Sequence, residues 1–200
     1  MPRSRPAPDI ETRLCDAALK LAGRHGWGAL TVEKIAGEAK TPPAKARQLF
    51  CSTDLILPAI VKRIDRQVIS GIGKPDRAAT AHDRLFEVMM ARFDALQAHR
   101  AGIIAIMKEA RRNPAMARRL LPAQHNSMRK MLVLADCSPK GGLDSVAAAG
   151  LLAVYARALC IWQKDNSADM APTMAALDQA LRLADMIGNV VFTAFNRGTG

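Results

Sequence analysis

The hydrophobic positions of this chain recur every three or four residues over almost its whole length, which is the period of an amphipathic α-helix. In the first segment they are Ile10, Leu14, Ala17, Ala18 and Leu21, and Gly26 follows where a helix would end. A shorter pattern comprises Val32, Ile35 and Ala36, with Thr31 placed to cap it. Residues 40–43 (Lys-Thr-Pro-Pro) end that pattern, residues 44–50 form a third, and Ser52 can cap a fourth. The sequence therefore predicts three short helices separated by tight turns, with a longer helix after them.

The remaining residues predict a helical body. Alternation with period two, which indicates strands, is hardly seen, and Ala, Leu and Met are abundant. The predicted helices cover approximately residues 54–69, 81–97, 102–112, 114–135, 143–164 and 170–195. The helix that ends near residue 135 is expected to bend or break at Pro122. The predicted fold class is all-α.

A helix, a short helix, a tight turn and another short helix form the unit that presents one exposed helix to the major groove of DNA. In this segment the chain resembles the N-terminal domain of TetR/AcrR-type transcriptional regulators. The resemblance covers residues 10–60 at the family's spacing, through Ala17, Ala18, Gly26, Leu30, Thr31, Val32, Ile35, Ala36, Phe50, Ser52 and Leu55. It implies a TetR-like fold, with a helix-turn-helix head of three helices and a C-terminal bundle that binds a ligand and dimerises.

This resemblance, together with the loop at residues 71–75, predicts four parts of the chain, because Gly and Pro together end helices. They are a flexible basic arm (1–8), a helix-turn-helix DNA-binding domain (9–53), a connecting helix (54–70) and a ligand-binding and dimerisation domain (71–200). The implied protein is a homodimer that binds double-stranded operator DNA. An apolar small ligand would release it or modulate its binding.

The third helix differs from the TetR pattern at several positions. Lys40 stands where the family has Gly in the turn, Pro42 where it has a Ser cap, and Arg47 where it has an aromatic residue. Arg47 can still contact a phosphate, Lys45 a base edge or a phosphate, and Gln48 an adenine. The full set of candidate DNA contacts is Arg3, Arg5, Thr31, Thr41, Lys45, Arg47 and Gln48. The alternative is a head that keeps the fold and a solvated polar face without reading DNA.

The net charge of +11 favours a polyanionic partner. Residues 1–70 carry 12 Lys and Arg against 7 Asp and Glu, and residues 71–200 carry 17 against 11. By this division the positive charge is shared almost evenly. The later cations concentrate at Lys108, Arg111, Arg112, Arg118, Arg119, Arg129 and Lys130. They form either a solvated helix face or a surface directed at anionic lipid.

Two sets of apolar residues are candidate binding surfaces. The candidate ligand-binding set, partly Met-rich, is Phe86, Met89, Met90, Phe93, Met107, Met128, Met131, Tyr155 and Trp162. The candidate dimer contacts, in stripes that resemble a bundle interface, are Leu152, Leu159, Leu177, Leu181, Ile187 and Val191. Core packing within one chain explains the first set without any ligand, and part of the second set must also serve such a core. A homodimer also suits two heads that read a palindrome.

A second resemblance supports an alternative function. Residues 162–178 are similar to the C-terminal signature of ubiquinone-biosynthesis accessory proteins, through Trp162, Asp165, Ser167, Asp169, Thr173, Met174, Leu177 and Asp178. This resemblance implies a TetR-fold protein that holds an isoprenoid lipid, meets a membrane surface and lacks useful DNA binding. Helix capping by Asp169 and loop formation by Asp165 and Ser167 explain part of the same pattern.

Other chemistry has little support in the sequence. The four histidines are scattered without metal-ligand spacing, and the four cysteines form no close pair. The most apolar run, residues 146–162, is shorter than a membrane span and contains Arg157, which predicts a buried helix. Residues 1–25 lack the apolar core of a signal peptide. The sequence therefore predicts a cytoplasmic non-enzyme with no cofactor and no metal.

Overall fold

The computed structural model describes residues 9–139 and 142–197, with side chains up to residue 186. Within these residues it has nine α-helices and no strand, which confirms the predicted all-α class. The helices are α1 (Ile10–His25), α2 (Val32–Glu38), α3 (Pro43–Leu49), α4 (Ile56–Gly71), α5 (Ala81–Gln97), α6 (Arg100–Arg112), α7 (Pro114–Leu134), α8 (Asp144–Trp162) and α9 (Ala171–Arg197). Short 3-10 turns lie at Trp27–Ala29 and Thr53–Leu55.

The helix ends follow local capping chemistry, with two differences from the prediction. Thr31 caps α2 as expected. Ser52 makes no side-chain cap bond, because a 3-10 turn separates it from α4, so the prediction of a cap there is wrong. α7 continues through Pro122, so a break at that residue is also wrong. Pro122 is exposed, and water can satisfy the carbonyl of Arg118 that loses its helical donor.

The chain folds into two compact units. Unit 1 comprises residues 1–67 and 95–123, and includes α1, α2, α3 and α6. Its core contains Leu14, Leu19, Ile35 and Ile56. α6 packs along α1 and also contacts the 3-10 turn at Trp27–Ala29. Unit 1 is thus larger than the predicted DNA-binding domain (9–53). The bounds of the DNA-binding segment itself stay a prediction.

Unit 2 comprises residues 68–94 and 124–200. α8 and α9 pack along each other, and the core contains Met89, Phe93, Met128, Met131, Trp162 and Leu177. Polar contacts connect α5 to two other segments of this unit. The His82 ring lies 2.9 Å from the Asp178 carboxylate, and Arg84 Nε donates to the Ala135 carbonyl at 2.8 Å.

Candidate nucleic-acid interface

α3 is a seven-residue helix with one side packed on the head and its polar side chains exposed. Pro43 occupies its first position, and the Pro42 carbonyl accepts hydrogen bonds from the N–H groups of Lys45 and Ala46 at 3.0 and 3.1 Å. Ala46 is fully buried, and α3 packs against α2. The exposed side chains of the helix include Lys45, Arg47 and Gln48. These three predicted contacts are therefore accessible to a partner.

The turn before α3 places a lysine in the left-handed backbone region. Lys40 has φ +49°, its N–H donates to the Gly37 carbonyl at 3.1 Å, and the Thr41 N–H donates to the Ala36 carbonyl at 2.9 Å. This pair of hydrogen bonds is the Schellman arrangement that ends α2. A residue other than glycine costs about 1 kcal/mol at such a position. The turn therefore forms without the glycine typical of the resembled family, at a cost in stability.

Arg13 of α1 holds this turn in place. One of its guanidinium nitrogens, Nη2, donates to the carbonyl oxygens of Ala39 and Lys40, both at 3.1 Å, and to Thr41 Oγ1 at 2.7 Å. Thr41 is buried, and its hydroxyl donates to the Ala39 carbonyl at 3.3 Å. The expectation that Thr41 contacts DNA is corrected here, because its hydroxyl is engaged inside the head. Sequence reasoning missed Arg13, which lies 28 residues before Thr41 and carries no local signal for this contact.

An ion pair joins the start of α2 to the last turn of α3. Arg47 Nε lies 2.8 Å from Glu33 Oε1, and both side chains are at least half exposed. The pKa of Glu33 lies below its usual value because its own backbone N–H, Arg47 and Thr31 donate hydrogen bonds to the carboxylate. An exposed pair of this kind contributes little stability. In the structure it directs the Arg47 side chain toward the start of α2.

The other predicted DNA contacts have different positions. Thr31 is exposed, and its Oγ1 accepts a hydrogen bond from the Lys34 N–H at 3.3 Å. The Glu33–Arg47 pair brings this start of α2 next to the end of α3. Arg3 and Arg5 lie outside the described residues. Thr31, Lys45, Arg47 and Gln48 thus form an exposed polar set on two helices in contact, which we name the α2–α3 surface.

The positive charge of the chain is concentrated in unit 1. This unit has 18 Lys and Arg against 8 Asp and Glu, a net charge of +10 out of the total of +11. Unit 2 has 11 against 10. A division at residue 70 makes the positive charge look evenly shared, because that division separates residues 95–123 from the head to which they belong. Because α6 and the first turns of α7 belong to unit 1, five of the seven later cations lie in the same unit as the α2–α3 surface.

The candidate ligand-binding residues form a packed centre in unit 2. The rings of Phe93 and Tyr155 are 5.6 Å apart, those of Phe93 and Trp162 are 6.3 Å apart, and the Arg92 guanidinium lies 5.1 Å from the centre of the Tyr155 ring. Of the predicted set, Met89, Phe93, Met128, Met131, Tyr155 and Trp162 are buried there, Phe86 and Met90 are half-buried, and Met107 belongs to unit 1. Arg92 is a buried cation that sequence reasoning missed, although it lies at helical spacing from the buried residues Val88 and Leu96 of α5.

The candidate dimer contacts do not share one environment. Leu177 and Leu181 are buried within the chain, so they serve its core instead of an exposed face, contrary to the sequence prediction. Leu152 and Leu159 are half-buried, and the side chains of Ile187 and Val191 lie outside the described residues. The exposed apolar residues of α8 and α9 are instead Val146, Ile161, Met174, Leu183 and Met186.

α8 leaves much of its apolar surface uncovered. Among the described residues it is the one helix with the length and composition of a membrane span, yet only 33% of its apolar stretch is buried in the chain. The expectation of a buried helix thus holds for one side only. Its other side exposes mostly small or apolar residues together with the cation Arg157, which donates to Gln179 Oε1 at 3.2 Å. The small and apolar residues are Val146, Ala149, Gly150, Ala153, Cys160 and Ile161. A face of this composition suits close packing of a second helix.

The segment that resembles the quinone-biosynthesis signature is a capping network around Asp165. Oδ1 of Asp165 accepts from the N–H and hydroxyl of Ser167 at 3.0 and 2.5 Å, and Oδ2 accepts from the N–H and hydroxyl of Thr173 at 3.1 and 2.6 Å. Burial favours the neutral acid, but these bonds outweigh it and lower the pKa of Asp165 from 3.8 to about 2. The network therefore connects the α8–α9 loop to the start of α9, which explains much of the signature by structure alone.

Comparison with solved structures identifies the fold. The chain aligns with a TetR transcriptional regulator of Nitrosomonas europaea at a TM-score of 0.70 and 17% identity, over 90% of this chain and 99% of the other. A TetR regulator of Rhodococcus sp. RHA1 aligns at 0.62 and 18% identity, over 90% of this chain and 97% of the other. The chain therefore has the TetR-type fold, as the sequence predicted.

Comparison of sequences agrees with this fold. The chain is 30% identical to the HTH-type transcriptional regulator BetI of Brucella canis over 98 residues. That match covers 48% of this chain and 50% of the relative, so it spans about half the length of the curated relatives. No family model matches the chain. The resemblance to TetR-type regulators seen in the sequence is confirmed, over the fold and over this half-length match.

Proposed function

We propose that this chain is a TetR-type transcriptional regulator that binds operator DNA through the α2–α3 surface. One observation carries the proposal. α3 exposes the side chains of Lys45, Arg47 and Gln48 while its opposite side is packed on the head, and it belongs to the unit that has +10 of the +11 net charge. A positive unit of this kind attracts duplex DNA regardless of sequence, and an exposed helix with polar side chains can then read base edges. The half-length likeness to BetI regulators supports the same function.

The contacts divide by chemistry. Gln48 has the amide that pairs with adenine N6 and N7, and Lys45 reaches a base edge or a phosphate near the start of α3. Arg47, which Glu33 draws toward the start of α2, contacts a backbone phosphate together with Thr31. The basic arm with Arg3 and Arg5 adds sequence-independent affinity. Thr41 is not included, because its hydroxyl is buried against Arg13.

The regulator acts as a homodimer in the cytoplasm and performs no catalysis. Dimerisation uses the uncovered face of α8 together with exposed residues of α9, and supplies the two-fold axis that a palindromic operator requires. An apolar ligand that enters the aromatic and Met-rich centre of unit 2 regulates DNA binding. Such a ligand changes operator affinity only if it prefers one arrangement of the paired heads over another.

The test is a titration of the purified protein against its own upstream DNA and a scrambled duplex, at several salt concentrations. We expect tight, sequence-selective binding of the upstream DNA. Gln48→Ala should lower selectivity by roughly 1–3 kcal/mol at its base, whereas Arg47→Ala should weaken binding to both duplexes. Binding that is equal for both duplexes and disappears at moderate salt would refute the proposal.

A groove in unit 2 favours a second candidate, a TetR-fold lipid-binding accessory protein of ubiquinone biosynthesis. The groove is open to solvent and has a volume of about 440 Å³. Its lining residues combine apolar surface with positive charge and are Ile69, Asn126, Arg129, Lys130, Val133 and Leu134. This composition suits an amphiphile with an anionic end. Solvent extraction of the purified protein and binding to anionic vesicles test the candidate, which is refuted if no lipid is extracted and no vesicle is bound.

A further inference from the structure

Five cations lie on either side of the single residue, Asn113, that connects α6 to α7. Lys108, Arg111 and Arg112 belong to the end of α6, and Arg118 and Arg119 to the second turn of α7, all of them exposed or half-exposed. We name this set the α6–α7 cations. Residues 95–123 contain six Lys and Arg and one acid, Glu109. The α2–α3 surface does not include this charge.

Internal ion pairing accounts for only part of the set. Arg119 pairs with Asp54 of the 3-10 turn that follows α3. Within the described part of the chain, Lys108, Arg112 and Arg118 make no side-chain hydrogen bond, ion pair or ring contact. Cations near the end of α6 have a favourable dipole interaction, but those near the start of α7 do not. Helix stability therefore does not explain the presence of Arg118.

The position of the α6–α7 cations relates them to the helix-turn-helix. The end of α6 contacts the 3-10 turn Trp27–Ala29, where a Cβ on Gly28 would lie 3.2 Å from Glu109 Oε2. That turn immediately precedes α2. Arg119 reaches Asp54, four residues beyond Phe50 at the end of α3. The junction of α6 and α7 thus contacts the two segments that border the helix-turn-helix, one on each side.

We propose that Lys108, Arg112 and Arg118 bind the phosphate backbone of the same DNA duplex, beside the bases that α3 reads. This proposal rests on the proposed DNA-binding function and extends its footprint along the duplex. Charge complementarity and the continuity with the helix-turn-helix favour duplex DNA over an anionic membrane as the occupant. Contacts of this kind add affinity and salt dependence and leave base preference unchanged, because phosphates carry no sequence information.

The experiment compares two lengths of the protein's own upstream duplex, one limited to the operator and one extended by about one helical turn of flanking DNA on each side. The wild-type protein should bind the longer duplex more tightly and with a steeper salt dependence. In the triple variant Lys108→Gln, Arg112→Gln, Arg118→Gln, the affinities for the longer and the shorter duplex should become equal. Its slope of log affinity against log salt should become shallower by about 0.9 for each phosphate that the variant no longer neutralises, with base preference retained.

A matched variant controls for net charge. Lys74→Gln, Arg77→Gln and Lys164→Gln remove the same charge from exposed positions of unit 2. This control should keep the wild-type advantage of length, and thermal melting should confirm that both triple variants are folded. Equal losses in the two triple variants would overturn the proposal, since net charge alone would then explain them.

The remaining outcomes separate this proposal from the function on which it rests. If the wild type is sequence-selective and the α6–α7 triple variant binds the short and the long duplex as the wild type does, the inference fails and the proposed function as a regulator is retained. If the wild type shows no sequence selectivity, the proposed function fails, and the inference fails with it. Loss of binding to phosphatidylglycerol vesicles in the α6–α7 variant, with DNA binding unchanged, would assign these cations to a membrane and also overturn the inference.

Discussion

Gly102 of α6 lies directly against the backbone of Leu19 in α1. A Cβ at Gly102 would be 2.9 Å from the Leu19 carbonyl carbon and closer still to its oxygen. Real Cβ atoms do not approach backbone atoms so closely, so any side chain at this position forces the two helices apart. Since α1 carries Arg13, which holds the turn before α3, the contact between α1 and α6 also supports the α2–α3 surface.

Gly102→Ala should therefore destabilise the protein by a few kcal/mol, in the range of overpacked core sites. Gly37→Ala in α2 is the matched control, because a Cβ there meets nothing within 4 Å. In the control the gain in helix propensity should stabilise the protein by roughly 0.5–1 kcal/mol. Denaturant unfolding measures both changes, and similar effects of the two variants would contradict the packing argument.

The strained turn gives a prediction of the opposite sign. Lys40→Gly should stabilise the protein by up to about 1 kcal/mol, because glycine adopts the positive φ of this position without the steric cost of a Cβ. Ala39→Gly is the control, since Ala39 ends α2 with ordinary right-handed backbone angles, and it should destabilise the protein slightly. Thermal melting of the two variants tests the prediction. A loss of stability in Lys40→Gly would mean that the lysine side chain has a stabilising role.

The Asp165 network predicts an acid-sensitive connection between α8 and α9. The pKa of Asp165 is lowered to about 2 in the folded protein, so its contribution to stability is fully present above the unfolded pKa near 4 and is lost as the pH falls toward 2. Asp165→Asn should destabilise the protein at pH 7 by roughly 1–2 kcal/mol, as expected for a lost helix cap. The difference from wild type should shrink as the pH falls from 4 to 2.

Denaturant unfolding at several pH values checks this dependence on Asp165. Asp169→Ala is the control, since that exposed carboxylate accepts a single hydrogen bond, from the Ala171 N–H at 3.2 Å. Its effect should be smaller than that of Asp165→Asn. An Asp165→Asn difference that stays constant from pH 4 to pH 2 would contradict the assignment of the lowered pKa to this network.

Helix positions could be predicted from the sequence because their signals are local. Thr31 caps α2, the Pro42-Pro43 pair starts α3, and the glycine and proline near residue 71 end α4, each within a few residues of the effect. The direction of an apolar stripe is not local. Leu177 and Leu181 have the spacing of an interface but are buried inside the chain, in a helix that packs along α8.

The candidate site was predictable in part, for the same reason. Lys45, Arg47 and Gln48 are exposed as expected, since Ala46 and Phe50 are the only residues of that stretch that the head buries. Thr41 could not be placed from its neighbours, because its partner Arg13 belongs to another helix. The charge of unit 1 was hidden for a similar reason. Its last six cations are distant in the sequence and join the head through tertiary contacts, namely the packing of α6 on α1 and on the Trp27–Ala29 turn and the Arg119–Asp54 ion pair.

The uncovered face of α8 predicts how the homodimer can be broken. Val146→Asp combined with Leu183→Asp should convert a dimer to a monomer, because each change places a charge on an apolar surface proposed to be buried between protomers. Leu121→Asp, at a similarly exposed apolar position of α7, is the control and should leave the dimer intact. Sedimentation or light scattering gives the mass directly. A double variant that remains dimeric would show that the dimer interface does not include these two positions.

The Glu33–Arg47 ion pair predicts that removing its carboxylate, by Glu33→Gln, increases the affinity for DNA. In the free protein Arg47 is held by Glu33, so binding a phosphate requires the cation to be shared with, or released from, that carboxylate. Glu33→Gln removes the competing anion and one negative charge from the proposed interface, so operator affinity should rise several-fold and its salt dependence should become steeper. Glu38→Gln, which removes an acid paired with Lys20 in the same helix, is the control and should change affinity less. If Glu33→Gln instead weakens binding while Arg47→Ala does the same, then Glu33 positions Arg47 for the phosphate, and the ion pair persists in the DNA complex.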